Sequence, residues 1–112
     1  MTILVTGSSG HLGEALVRML RAEGRAVRGL DVRPPAFTDV VGSIADAAVC
    51  ASAVRDVSAV LHTATLHKPH VATHSRQDFV DTNITGTLNL LEASAKADVE
   101  AFVFTSTTSA FG

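Results

Sequence analysis

Ile3-Leu4-Val5-Thr6-Gly7-Ser8-Ser9-Gly10-His11-Leu12-Gly13 passes from an apolar run through three glycines into a helix-type run. The apolar run has the composition of a buried strand, and the segment beyond Gly10 begins a helical pattern. Without Cβ atoms, Gly7, Gly10 and Gly13 permit positive φ, close approach of a ligand and tight packing of helix on strand. The first turn of the following helix offers unpaired N–H groups and the positive end of the helix dipole, so a pyrophosphate can be held by backbone alone. An ordinary strand-to-helix turn would use the same residue types, and the surrounding sequence decides between the two readings.

That context is an acidic residue, Asp31, 18 positions beyond Gly13. It lies near the offset of roughly 20 residues expected for a carboxylate that binds a ribose. Residues 26–32 form the second expected strand and place Asp31 near its carboxyl end, which borders the ligand crevice of an open parallel sheet. A carboxylate there accepts hydrogen bonds from both hydroxyls of an adenosine ribose and repels a 2′-phosphate. The pattern therefore favours NAD over NADP as cofactor. Arg33 pulls the other way, since a guanidinium pairs well with phosphate, although it also suits stacking on adenine or a surface ion pair.

The spacing of the glycines resembles the T-G-x-x-G-x-x-G turn of the short-chain dehydrogenase/reductase superfamily, particularly its extended, epimerase/dehydratase-like branch. Gly42-Ser43-Ile44-Ala45-Asp46 resembles that family's G-D-x-x-D segment beside the adenine, with Ser43 in place of the aspartate. Taken alone, Ser43 to Asp46 reads as helix capping. Thr63-Ala64-Thr65, after the strand expected at 58–62, resembles the small-residue motif on which the dinucleotide lies. Asp81 to Glu92 closely resembles the branch's N-x-x-G-T-x-N-L-L-E helix, and Ser106 to Gly112 its S-S-x-x-V-Y-G ending.

The resemblance implies cofactor contacts at Gly7, Ser9, Gly10, His11, Leu12 and Gly13 in the turn, at Asp31 and Arg33, and at Ser43 and Ile44. It adds Thr63, Ala64 and Thr65 after the fourth strand, Thr82 and Asn83 on the helix, and Thr105 at the end of the fifth strand. Thr107 falls at the catalytic Ser/Thr position, where its hydroxyl would bind the reacting oxygen of the substrate. Gly86 is implied to let its helix pack closely on the sheet. The family's general acid/base is a tyrosine, made usable near neutral pH by a lysine four residues later. The 112 residues contain no tyrosine, so these residues are expected to bind the cofactor without completing proton transfer.

The implied fold is α/β: a Rossmann-like, doubly wound parallel sheet of order 3-2-1-4-5, truncated after the fifth strand, with residues 1–112 as one incomplete domain. Only about eight residues separate Asp31 from Val40, and Arg33-Pro34-Pro35 cannot be helical. Part of one sheet face is therefore expected to lack its covering helix. Helices are expected after Gly10, with Leu12, Leu16, Met19 and Leu20 on one face, over 46–56, and over 77–97 with Val80, Ile84, Leu88 and Leu91 on a common face. Ala101 to Thr105 reads as a strand buried on both faces, and Phe102 and Phe104 are expected to expose area on opposite faces unless covered, favouring self-association.

Composition narrows the partners. Hydrophobic residues make up 46% and charged ones 18%, with a net charge of −2, and no basic run with interleaved aromatics suggests nucleic acid. No uninterrupted apolar stretch is long enough to span a membrane. Ile3 to Val5 is too short for a signal-peptide core, which places the protein in the cytoplasm. Cys50, the single cysteine, sits among alanines and reads as a packed core residue. His67, His70 and His74 crowd one loop without carboxylate or cysteine partners at ligand spacing, so no metal is expected. His62 reads as a satisfied strand-end histidine.

Two functions fit. One is the cofactor-binding part of an NAD-dependent epimerase, dehydratase or reductase acting on a small molecule such as a nucleotide sugar. The other is a non-catalytic module that binds or senses NAD.

Overall fold

The computed structural model describes residues 2–32, 39–63 and 75–104, apart from the side chain of Phe79. Along the chain run β1 (Thr2–Thr6), α1 (His11–Ala22), β2 (Ala26–Asp31), β3 (Val40–Val41), α2 (Ala47–Ala53) and β4 (Val57–His62). A helix follows in three parts, α3 (Arg76–Phe79), a π-helical segment (Val80–Gly86) and α4 (Thr87–Lys96), and β5 (Ala101–Phe104) is the last element described. The strands form one sheet of order β3-β2-β1-β4-β5, and every pairing is parallel. The expected topology holds, including the short link into β3, where Leu30 and Asp31 pair with Val40 and Val41.

Alternation along the central strands divides the core between two faces. Val5 packs with Val17 and Leu20 of α1 on one face. Leu4, Leu30 and Val60 pack with Cys50, Ala53, Leu90 and Ala93 of α2 and α4 on the other. Among the described residues only α1 covers the first face, as the short β2–β3 link implied. No helix among them is long and apolar enough to cross a membrane.

Local chemistry sets the ends of the helices. Gly24, at φ 78°, closes α1, with its own N–H bonded to the Arg21 carbonyl and the Arg25 N–H to that of Leu20. These two bonds satisfy carbonyls that the helix end leaves open. Asp46 caps α2 by accepting from the Ala48 N–H at 2.9 Å. That helix stops earlier than the expected 46–56, because Val54 to Asp56 turn into β4. Arg28 of β2 donates to the carbonyls of Ala53 and Arg55, each at 2.7 Å, which fixes the turn against the sheet.

Four expectations about faces are corrected. In α1 the buried residues are Gly13, Val17 and Leu20, whereas Leu12 and Met19 are exposed; close contact of Gly13 with the preceding turn rotates that side inward. The stripe of Val80, Ile84, Leu88 and Leu91 points outward, and Gly86, Leu90, Ala93 and Ser94 are buried instead. Small residues on that side let the helix settle over α2. Phe102 and Phe104 share one face, as residues two apart on a strand must. Both rings lie near His62, at centroid distances of 5.9 and 5.5 Å. Nor is β5 buried on both faces, since Val103 and Phe104 are 55% and 48% exposed.

Candidate functional site

The site lies where β1 and β4 end side by side, with α1 departing from one and β2 flanking the other side of β1. Gly7, at φ 71°, turns the chain out of β1, and its N–H is held by the Leu30 carbonyl at 2.7 Å. The Gly10 N–H then returns to the Gly7 carbonyl at 2.9 Å, closing the loop directly beneath α1. A Cβ at residue 13 would stand 1.9 Å from that same carbonyl oxygen and 2.6 Å from its carbon. Only glycine fits there. Among the described residues no side chain caps α1, which leaves its first-turn amides without an acceptor of that kind.

Asp31 ends β2 at the rim of this turn. It is buried, and its Oδ2 accepts the Ser9 N–H at 3.0 Å. The next turn is tied to the same residue, the Gly42 N–H bonding the Asp31 carbonyl at 2.9 Å. The glycine turn, the acid and the 42–46 turn thus form one contiguous rim across the ends of β1, β2 and β3. Within that last turn Ser43 Oγ accepts from the Ala45 N–H at 3.1 Å. The Ile44 side chain is buried in the core, so any ligand contact there falls to the main chain.

Under the other half of the rim runs a buried chain of hydrogen bonds. His62 Nδ1 meets Thr6 Oγ1 at 2.7 Å and its Nε2 meets Thr87 Oγ1 at 2.9 Å. Thr63 joins by donating its N–H to Thr6 Oγ1 at 3.0 Å and its hydroxyl to the Thr6 carbonyl. Burial alone pulls the His62 pKa down to about 4, so the imidazole is neutral near pH 7. It is a satisfied strand-end residue, as its position suggested. Cys50 is equally inert as a nucleophile. It is fully buried, with its thiol pushed up to about 11 by burial and by the nearby Asp46 carboxylate.

The structure brings Gly7, Ser9, Gly10, His11, Leu12, Gly13 and Asp31 together, with Ser43 and Ile44 on the adjoining turn and Thr63 beyond Thr6. Thr82 and Asn83 are half-buried in the π-helical segment just before Thr87. Gly86 departs from expectation, since a Cβ there would meet the Ile44 side chain at 2.5 Å; it makes room for the 42–46 turn rather than for the sheet. Arg33, Ala64, Thr65, Thr105 and Thr107, with His67, His70 and His74, lie outside the described residues. Thr6, Thr87 and Asn89 carry structural roles that the sequence did not single out. A threonine closing an apolar strand was the available signal for the first.

The profile of the NAD dependent epimerase/dehydratase family matches residues 3–112. The chain belongs to this family. It is 38% identical over 117 residues to a 3 beta-hydroxysteroid dehydrogenase/Delta 5-->4-isomerase of Mycobacterium tuberculosis, a match covering 96% of this chain and 32% of that one. A short-chain dehydrogenase/reductase superfamily protein of Agrobacterium tumefaciens with bound NAD superposes with a TM-score of 0.86 at 42% identity, over 96% of this chain and 33% of the other. The UDP-glucose 4-epimerase of Thermus thermophilus in complex with NAD gives 0.83 at 31% identity, over 96% and 38%. The chain thus spans about a third of the length of the curated relatives it matches.

Proposed function

We propose that this chain is the dinucleotide-binding part of an NAD-dependent epimerase, dehydratase or reductase, and that it prefers NAD to NADP. The observation that carries the reading is one juxtaposition: a backbone-walled turn with no room for a Cβ at residue 13, beside the buried carboxylate of Asp31. Main-chain amides of the turn and the first turn of α1 hold the pyrophosphate. Asp31 accepts from the hydroxyls of the adjoining ribose, and the same charge repels a 2′-phosphate. Bound NAD supplies a hydride acceptor at its nicotinamide ring. The relatives' names include a hydroxysteroid enzyme and a UDP-glucose epimerase, and the chemistry common to both substrates is a secondary alcohol interconverting with a ketone. A small molecule bearing that group, a nucleotide sugar among them, is the proposed substrate.

Calorimetric titration with NAD and NADP tests the cofactor assignment. Asp31→Ala should weaken NAD binding by about ten- to a hundredfold, the equivalent of one charge-assisted hydrogen bond, and should narrow the preference over NADP. Equal NAD affinity in variant and wild type would remove Asp31 from the site.

We also propose that the protein self-associates through its exposed apolar residues, among them Ile84, Leu88, Val103 and Phe104. Sedimentation should show mass rising with concentration; a monodisperse monomer at high concentration would contradict this.

A further inference from the structure

We propose that Asn89 is a positioning residue for the adenosine end of the dinucleotide, acting through the turn at Ile44 and Ala45; the inference rests on the NAD-binding reading above. Asn89 Nδ2 donates to both carbonyls of that turn, Ile44 at 3.0 Å and Ala45 at 3.1 Å. Both hydrogens of one side-chain amide are thereby committed to two successive backbone acceptors, an arrangement a carboxylate of the same shape would oppose. The Ile44 carbonyl receives a second donor, the Cys50 thiol at 3.3 Å.

The clamp is complemented on the helix by Gly86, one turn earlier, where the absence of a Cβ leaves the space that the Ile44 side chain occupies. At its other end the turn is tied to Asp31 through the Gly42 N–H. The 42–46 turn adjoins Asp31 through that bond, so it is a surface offered to the base of a ribose held there. Among the described residues, Asn89 is the polar link between that turn and α4. A staple of α4 with no bearing on the ligand would have no reason to act on the adenosine half of NAD alone.

Titration of the protein with NAD, AMP and nicotinamide mononucleotide separates the two roles. Asn89→Ala should weaken AMP and NAD by a common factor of about ten and leave nicotinamide mononucleotide unchanged. Asn89→Asp, isosteric but presenting only acceptors to the two carbonyls, should lose more than the alanine variant. A measurement on wild type needs no variant to fold: saturating AMP should shift the Asn89 side-chain amide resonances with the same dissociation constant that calorimetry gives. AMP affinity unchanged in Asn89→Ala, equal loss of AMP and nicotinamide mononucleotide, or an Asn89 amide that does not respond to bound AMP would each overturn the proposal while leaving NAD binding intact. Wild-type protein that bound neither NAD nor AMP would instead overturn the reading beneath it.

Discussion

Gly13→Ala should weaken NAD binding by at least about a hundredfold and cost about 3 kcal/mol of stability, the upper part of the range for overpacking a tight interior contact. The added methyl would stand 1.9 Å from the Gly7 carbonyl oxygen and 3.1 Å from the Ser8 Cα. These are backbone atoms, so no rotamer change relieves the clash and either the turn or the whole of α1 must move. Moving the turn displaces the amides proposed to hold the pyrophosphate. Losing two charge-assisted bonds of roughly 1.5 to 3 kcal/mol each lowers affinity by at least about a hundredfold. Gly10→Ala is the matched control for stability, since its methyl would lie 3.2 Å from the same oxygen and a shift of a few tenths of an ångström admits it. Thermal melting of the two variants should separate them clearly; indistinguishable melting would mean that the contact at residue 13 is not what shapes the turn.

Acid should destabilise the fold through His62. The unfolded imidazole takes up a proton near pH 6.5 and the folded one only near pH 4, because burial penalises its charged form. The folded state therefore binds fewer protons between these values. This contribution to stability is fully present above pH 6.5 and is lost as the pH falls towards 4, amounting to about 3 kcal/mol in all. Denaturant titrations at pH 7 and pH 4.5 should show wild type losing about 2 kcal/mol more than His62→Gln, which retains a polar side chain but does not titrate. Equal losses in the two proteins would show that some other group governs the acid limb.

The topology and the glycine turn were legible because their signals are local. Three glycines at a fixed spacing after an apolar run, an acid at the end of the next strand and four further strand-like runs suffice to place β1, α1 and Asp31. The faces of the long helix were not legible. Its bulky residues Val80, Ile84, Leu88 and Leu91 make the stronger periodic pattern, but packing is decided by closeness of approach, and Gly86 and Ala93 let the opposite side come nearer to Ile44 and α2. The π-helical segment at 80–86 further breaks the regular count of residues per turn. Asn89 was visible as part of a motif, yet its partners are carbonyls 44 and 45 positions earlier in the chain, a pairing that only the tertiary structure displays. Ser94, whose buried hydroxyl has no hydrogen-bond partner among the described residues, would have passed for a surface residue on composition alone.

Amide resonances followed during NAD titration test the central claim most directly. The N–H groups of residues 7–13 should shift together and saturate with a single dissociation constant, with that of Ser9, already bonded to Asp31, among them. Saturable binding that left those amides in place, with its shifts elsewhere on the chain, would contradict the account.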